Sequence, residues 1–289
     1  MEDLINDILK NLDKSTELIQ KDLLKEIELM LREISLDVNG NIKPTVANIK
    51  QIKRIVAKLD PIILRNKGYK ESVKEVYKSF SELTTIQDKI TREAFGSVNL
   101  PASLTDIKDL AREQVLSDMT EAGIKSNVID KVEMVLTDNV RSGNSFNVMQ
   151  EQLKDLLANQ KTKSGGALSA YSKQIATDGM YQYAGNYDKL VSQSYKTKWY
   201  KYVGSLIETS RPLCQDLVKK KFIHESELTG ITNGRLDGKQ VSTAGMIPGT
   251  TAENFIVFRG GYNCRHRLIP VPEATVPKEL REKFANKEK

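Results

Sequence analysis

Cysteine, histidine and tryptophan are scarce in this sequence. Its 289 residues include two cysteines, two histidines and one tryptophan. Two cysteines cannot form the disulfide framework that holds a small secreted domain together. We therefore expect the chain to fold in a reducing compartment, where thiols stay free or bind metal.

Long apolar runs are also missing. No stretch approaches the roughly 18 consecutive apolar residues that a membrane helix needs. The opening residues, MEDLINDILK, have neither a basic n-region nor an apolar h-region, so we expect no signal peptide. With 39% hydrophobic and 28% charged residues, the composition is too apolar for wholesale disorder and favours a soluble folded protein.

Proline and glycine are thinly spread over the first two thirds of the chain. Five of the eight prolines and eight of the seventeen glycines follow residue 200. The sequence therefore predicts a fold that is mainly α with a small C-terminal α+β module. In this fold, a long helical hairpin or bundle is followed by a compact domain that contains the cysteines and histidines.

The N-terminal segment has the three- and four-residue apolar spacing of a long helix. The stripe consists of Leu4, Ile8, Leu12, Ile19, Leu23, Ile27, Met30, Leu31 and Ile34. We expect this helix to end at Asn39–Gly40, a second helix to begin near Pro44, and a break at Asp60–Pro61. The stripe fits either the core of a bundle or a coiled-coil face for a partner.

A second helical series follows Pro101, with Ser103 as its N-cap. Residues 141–145, Arg-Ser-Gly-Asn-Ser, predict a break between two helices. Residues 163–166, Lys-Ser-Gly-Gly, predict a turn before a tyrosine-rich helix from about Leu168 to Tyr195.

Beyond Lys196 the pattern changes to short strands and loops. Alternating aromatic and β-branched residues predict a strand from Trp199 to Gly204, and a last strand runs from Arg267 to Val271. Residues 211–217 predict a helix start with proline in its first turn, and residues 255–258 predict a β-like run. A charged tail after Pro272 is expected to become ordered only against a partner.

Every cysteine and histidine of the chain lies between residues 214 and 266, namely Cys214, His224, Cys264 and His266. Two thiolates and two imidazoles can form a tetrahedral structural zinc site. The alternatives are two neighbouring buried cysteines without metal, a disulfide from Cys214 to Cys264, and a surface His224. A module of about 75 residues rich in loops buries a small core, so a local cross-link would stabilise it.

The positive charge is concentrated in the same region. Residues 196–289 hold 17 basic and 10 acidic residues, against 27 and 28 in residues 1–195. This surplus is either a solvated face or a contact surface for a polyanion. The candidate contacts with phosphates, independent of base sequence, are Lys219, Lys220, Lys221, Arg265 and Arg267.

The sequence offers little support for an enzyme. It has no phosphate-binding loop of the Gly-rich Lys-Ser/Thr type and no nucleophile elbow. Acidic residues near the Cys/His cluster could form a hydrolytic metal site, although loop acids are usually just solvated. These residues are Asp216, Glu225, Glu227 and Asp237. We expect no catalytic activity.

Several segments resemble the C-terminal signature of the phage Mu F-like minor head (head morphogenesis) proteins. A tryptophan strand, Trp199–Gly204, precedes an arginine-and-cysteine motif, Thr209–Cys214, and Asn-Cys-Arg-His at 263–266 comes before a short strand and Pro270. Phe222 and residues 225–228 also fit, as does the turn at 143–145 within the helices from about Leu104 to Tyr195. Residues 1–100 are not covered, and Arg-Gly-Gly-Tyr replaces the family's proline and histidine at 259–262.

The resemblance implies a structural protein of a tailed-phage head, involved in head morphogenesis or in DNA packaging or ejection. Its partners would be the portal or major capsid protein, with double-stranded DNA as a further candidate and no membrane. It would be made in the host cytoplasm and reside in the virion. Residues 1–100 would form a helical attachment region, 101–195 the helical core of the minor-head-like domain, 196–275 the Cys/His module and 276–289 the tail. A non-specific DNA-binding protein or a metal-dependent nuclease is the alternative.

Overall fold

A computed structural model describes residues 1–120, 122–158 and 165–286. Helices dominate the first two thirds of the chain. They are α1 (Glu2–Leu31), α2 (Val46–Arg65), α3 (Lys67–Phe95), α4 (Ser103–Thr120), α5 (Ala122–Ile124), a π-helical turn (Lys125–Ile129), α6 (Asp130–Ser142), α7 (Phe146–Ala158) and α8 (Ala167–Tyr195).

Short strands and helices alternate in the last third. The elements are β1 (Trp199–Val203), α9 (Pro212–Lys220), β2 (Phe222–His224), α10 (Leu228–Thr232), β3 (Arg235–Leu236), β4 (Lys239–Gln240), α11 (Phe255–Phe258), β5 (Arg267–Pro270) and α12 (Lys278–Ala285). The predicted fold class, mainly α with a small C-terminal region that contains strands, cysteines and histidines, is therefore confirmed. Over the part of the chain that the structure describes, no helix is both long and apolar enough to cross a bilayer.

The chain divides into two compact units. The helix unit comprises Asp3–Lys78 and Glu113–Ala176, and the sheet unit comprises Met1–Glu2, Ser79–Arg112 and Thr177–Lys289. Each unit is assembled from segments that lie far apart in sequence. The predicted boundaries at residues 100, 195 and 275, in contrast, divide the chain into continuous segments. Whether those boundaries separate parts that fold independently stays a prediction.

The helix unit buries the apolar stripe of α1. Ile8, Leu12, Ile19, Leu23 and Ile27 are at most 3% exposed. This stripe is therefore the core of a bundle, because a face at which a partner docks would be open to solvent. Of the two alternatives for the stripe, the bundle core is therefore the one that the structure shows, and attachment of residues 1–100 to a partner stays a prediction.

Two helix ends in this unit differ from the prediction. Helix α1 ends at Leu31, and Asn39–Gly40 lies instead in a tight turn in which the Asp37 carboxylate accepts hydrogen bonds from two backbone N–H groups, at 2.9 and 2.8 Å. Pro61 lies inside α2. Proline removes one helical hydrogen bond, but the apolar face of α2 continues past it to the fully buried Ile63, and its burial offsets that loss.

The remaining helix boundaries follow the prediction closely. Helix α4 begins at Ser103, and α6 ends at Ser142 with Gly143 in the left-handed conformation (φ 62°) that commonly ends a helix. The tyrosine-rich helix α8 starts at Ala167, one residue before its predicted start. Of the predicted turn at 163–166, residues 163 and 164 lie outside the described part of the chain.

The sheet unit contains a three-stranded antiparallel sheet in the order β2-β1-β5. Successive side chains of a strand point to opposite faces, and each face packs against a separate apolar cluster. The thiol-side cluster includes Tyr200, Tyr202, Cys214, Ile223, Cys264 and Leu268. The tryptophan cluster consists of Trp199, Val276 and Phe284, with Phe222, Val271 and Leu280 against it.

Two predicted features of this unit are corrected. Residues Phe255–Phe258 form α11 rather than a strand, since three consecutive buried side chains fit a short helix in a core as well as they fit a strand. Residues Lys278–Ala285 of the charged tail form α12 without a partner. Leu280 and Phe284 lie one turn apart and give this helix an apolar face for the tryptophan cluster.

Candidate metal centre

Cys214 lies in the first turn of α9. The helix begins at Pro212, whose missing N–H costs nothing at this position, and it buries Leu213, Cys214 and Leu217. Arg211, just before the helix, donates a 2.7 Å hydrogen bond to the carbonyl oxygen of Tyr262. This contact ties the start of α9 to the loop that carries the second cysteine.

That loop runs from Arg259 to His266 and turns sharply. Gly261 has a φ of 109°, and a Cβ atom there would lie 1.7 Å from the carbonyl oxygen of Gly245, so only glycine fits. Asn263 has a φ of 56°, and its N–H donates a 2.7 Å hydrogen bond to the Asp178 carboxylate on α8. The turn is therefore held in place at the residue that precedes Cys264.

The two segments bring Cys214, Cys264 and His266 together. Their donor atoms lie within 4.8 Å of one another. The two sulfurs are 3.9 Å apart, and the Cys264 sulfur is 3.8 Å from Nδ1 of His266. The cysteines are not bonded to each other. Such a group of soft sulfur and imidazole donors can hold a metal ion.

The three side chains are buried, with exposed fractions of 2%, 2% and 5%. A hydrogen bond between the two thiols shifts their pKa values in opposite directions. It lowers the pKa of Cys264, which also has His266 and the Arg259 cation nearby, and it raises the pKa of Cys214. Cys264 is therefore the thiol of the pair that ionises more readily, and a thiolate is the form of cysteine that binds metals.

Gly260 and Tyr202 lie directly against this group. A Cβ atom on Gly260 would lie 2.5 Å from the Cys214 sulfur and 3.2 Å from the Cys264 sulfur. The Tyr202 ring stacks on the His266 ring, with 5.4 Å between centroids, and its hydroxyl lies 3.5 Å from the Cys214 sulfur. The sulfurs therefore have little freedom to move apart.

Several buried polar atoms nearby have no hydrogen-bond partner among the described residues. They are Oδ2 of Asp178, Nε2 of His266 and all three guanidinium nitrogens of Arg259. Arg259 is fully buried, with its guanidinium 5.3 Å from the centre of the Tyr181 ring. Burial raises the pKa of Asp178 to about 6, although the Asn263 hydrogen bond and the Arg259 charge oppose this rise. Buried polar groups of this kind usually have a hydrogen-bond partner.

The structure does not bring His224 to this group. Strand β2 points Ile223 towards the thiol-side cluster, so His224, the next residue, points to the opposite face of the sheet. There its ring stacks on Phe284 and meets the edge of Trp199. The predicted set of four metal ligands is therefore corrected to three.

Two of the five predicted phosphate contacts are already engaged in ion pairs. Arg267 is a buried partner of Asp188, at 2.6 Å, and Lys220 is paired with Glu227 and Asp237 at 2.9 and 2.7 Å. Neither side chain is available to phosphates, because each already neutralises an acid of the fold. Lys219, Lys221 and Arg265 are exposed.

The four acidic residues considered for a hydrolytic site do not converge. Glu227 accepts a hydrogen bond from the His224 N–H as well as pairing with Lys220, Asp237 also pairs with Lys220, and Glu225 lies 3.6 Å from Lys198. Asp216 lies half-buried on α9. Glu225, Glu227 and Asp237 therefore act in local ion pairs and a helix cap.

Sequence reasoning missed Tyr202, Asp178 and Arg259 as neighbours of the metal group. Tyr202 carried a usable signal, because its place two residues after Tyr200 puts it on the buried face of a predicted strand. Asp178 carried none, since it contacts a residue 85 positions away.

Protein-family models, curated proteins and solved structures give no match to this chain.

Proposed function

We propose that this chain is a structural protein of a tailed-phage head, and that a zinc ion bound by Cys214, Cys264 and His266 stabilises its sheet unit. The observation that carries the metal proposal is the convergence of these three buried donors. The role in the phage head is supported by the resemblance of its sequence segments to the minor head proteins.

The distances within the group fit zinc. With Zn–S bonds of about 2.3 Å and a Zn–N bond of about 2.0 to 2.1 Å, a tetrahedral ion separates two sulfurs by about 3.8 Å and a sulfur from a nitrogen by about 3.6 Å. The corresponding separations here are 3.9 and 3.8 Å. These two separations lie within a few tenths of an ångström of the zinc values, and the third, between the Cys214 sulfur and a His266 ring nitrogen, is at most 4.8 Å. A side-chain adjustment would therefore bring all three donors onto one ion.

The burial of the group favours a structural role over a catalytic one. A catalytic zinc keeps a position open to substrate and water, whereas these three side chains are at most 5% exposed. The ion would cross-link α9 to the loop before β5, two segments that are 50 residues apart at Cys214 and Cys264. Such a link closes a long loop, which is where a cross-link stabilises most.

The metal proposal is tested on the full chain purified under reducing conditions. We expect about one zinc per chain by elemental analysis, and loss of both the zinc and the near-ultraviolet circular dichroism of Trp199 in Cys264→Ser. His224→Gln is the matched control, because His224 lies on the opposite face of the sheet and this variant should keep its zinc. A metal-free chain that stays folded after reduction and after Cys264→Ser would overturn the proposal.

The resemblance that supports the role in the head is concentrated in the sheet unit. The tryptophan strand forms β1, the arginine-and-cysteine motif leads into α9, and Asn263–His266 leads into β5. These segments are the ones that meet at the metal group. The motifs that resemble the family therefore all lie in one local structure, formed by β1, α9 and the segment before β5.

The role in the head is tested in a phage that encodes this chain. We expect mass spectrometry to find the chain in purified heads, and deletion of its reading frame to reduce the yield of DNA-filled heads by at least about tenfold. Complementation with the full-length chain should restore the yield. Purified heads that lack the chain, together with an unchanged yield after deletion, would overturn this role.

A further inference from the structure

We infer that the phenol oxygen of Tyr202 is the fourth ligand of the metal centre, which completes a Cys214, Cys264, His266 and Tyr202 tetrahedron. This inference rests on the proposed zinc site and adds a residue to it. Three protein donors leave one position of a tetrahedral ion unfilled. A buried structural site needs a fourth donor from the protein or an enclosed water.

The distance from Tyr202 to the thiols fits a ligand position. An oxygen bound at about 2.0 to 2.2 Å and a sulfur bound at about 2.3 Å lie about 3.5 to 3.7 Å apart on a tetrahedral ion. The Tyr202 oxygen is 3.5 Å from the Cys214 sulfur. The phenol oxygen therefore already lies at the distance from the Cys214 sulfur that two ligands of one tetrahedral ion would have.

The fold fixes Tyr202 in this position. The residue lies in β1, the central strand of the sheet, opposite Leu268 of β5, and it is only 2% exposed. Its ring is stacked on the ring of His266 with an angle of 11° between the planes. The strand that places Tyr202 thus also pairs with the strand that follows His266, so both donors belong to one rigid framework.

Burial and the two neighbouring thiols raise the pKa of the Tyr202 phenol, so a phenolate ligand here depends on the metal ion itself and on a nearby cation. Zinc with two thiolates and a neutral imidazole is uncharged, so a phenolate gives the centre one net negative charge. The buried guanidinium of Arg259 lies close enough to favour ionised Cys264, and it has no hydrogen-bond partner among the described residues. Asp178 also lies in the range of this cation. A buried cation with free donors can offset a nearby negative centre.

The experiment compares zinc binding by the wild-type chain, Tyr202→Phe and Tyr200→Phe. Tyr200 is the matched control, because it is a buried tyrosine of the same strand and its hydroxyl bonds to Ser192, at 2.8 Å, instead of a thiol. Both variants keep the aromatic ring. Zinc affinity is measured by competition with a chromophoric chelator, and circular dichroism checks that each variant is folded.

We expect Tyr202→Phe to bind zinc more than about 100-fold more weakly, which exceeds the 10- to 100-fold loss typical of a residue that only supports a ligand. Addition of zinc to the wild type and to Tyr200→Phe should also produce the ultraviolet difference spectrum of one tyrosine losing its proton to solvent. Tyr202→Phe should not produce it.

The outcomes separate this inference from the zinc proposal. A wild-type chain that binds zinc through its thiolates, shown by sulfur-to-metal charge transfer in the cobalt-substituted protein, but gives no phenolate signal would overturn the Tyr202 inference alone. An affinity loss below about 100-fold in Tyr202→Phe would assign Tyr202 a supporting role and overturn it as well. A chain that binds neither zinc nor cobalt would overturn both.

Discussion

The interiors of the two units differ in the kind of polar group they bury. Among the described residues of the helix unit, the buried polar side chains are all neutral, and they are Thr16, Gln20, Asn48, Gln51, Ser72, Asn139, Ser169 and Ser172. By comparison, the sheet unit buries four residues with ionisable acidic or basic side chains, Asp178, Asp188, Arg259 and Arg267, together with both histidines.

The difference shows two ways to stabilise a fold of this size. In the helix unit, many similar apolar contacts along α1 share the stabilisation, so the loss of one costs little. In the sheet unit, a few charged and sulfur groups depend on specific partners, and a lost partner leaves a buried group without compensation. Single substitutions should therefore have larger effects in the sheet unit.

The largest effect is expected when the buried ion pair of the sheet unit loses one member. Arg267→Met leaves the Asp188 carboxylate buried without its partner at 2.6 Å, and should lower the free energy of unfolding by about 3 to 5 kcal/mol. Urea unfolding at a fixed zinc concentration measures this. The double variant Asp188→Leu with Arg267→Met should recover most of the loss, and a loss below about 1 kcal/mol in the single variant would remove the contrast between the units.

An intermediate effect, dependent on pH, is expected at Asp178. Burial raises its pKa to about 6 in the folded chain, from an ordinary value of 3.8. The folded state therefore binds more protons than the unfolded state between these values. The contribution of this group to stability is fully present below about pH 4 and is lost as the pH rises through 6, by roughly 3 kcal/mol.

The variant Asp178→Asn isolates this contribution, because asparagine keeps an oxygen acceptor for the Asn263 N–H. Relative to the wild type, it should gain roughly 3 kcal/mol of stability between pH 4 and pH 7. Urea unfolding of both proteins across this range, in one zinc-containing buffer, gives the difference. A constant difference across the range would mean that Asp178 does not titrate in the folded chain near pH 6.

The smallest effect is expected in the helix unit. Ile19 is fully buried on α1, and Ile19→Val removes one methyl group from a core of similar side chains. It should cost about 0.5 to 1.5 kcal/mol. Thermal unfolding, with the exposed Leu18→Ala as control, measures it. A loss above about 3 kcal/mol would show that this core also depends on individual contacts.

The same difference explains how much of the fold could be predicted from sequence. The helices follow an apolar spacing that is visible over 10 to 30 residues, so the start of α4, the end of α6 and both ends of α8 were placed within a residue or two. The convergence of Cys214, Cys264 and His266 was also predicted, because these residue types are rare in the chain. Where a local pattern is sufficient, the prediction succeeds.

Prediction failed where a distant partner determines the structure. His224 looked like a ligand until the register of β2 against β1 put it on the other face of the sheet. Arg267 looked like a phosphate contact because its partner, Asp188, is 79 residues away. Residues 255–258 are apolar throughout, so their pattern could not distinguish a buried helix from a strand.

The order of strands in the sheet also has a consequence for synthesis on the ribosome. The central strand β1 is made before either neighbour, and β5 completes the sheet only after residue 270. Cys264 follows Cys214 by 50 residues, which at about 5 to 20 residues per second takes roughly 3 to 10 s. During that interval the chain has made only one of its two thiols, so the group of Cys214, Cys264 and His266 can form only late in translation or after it.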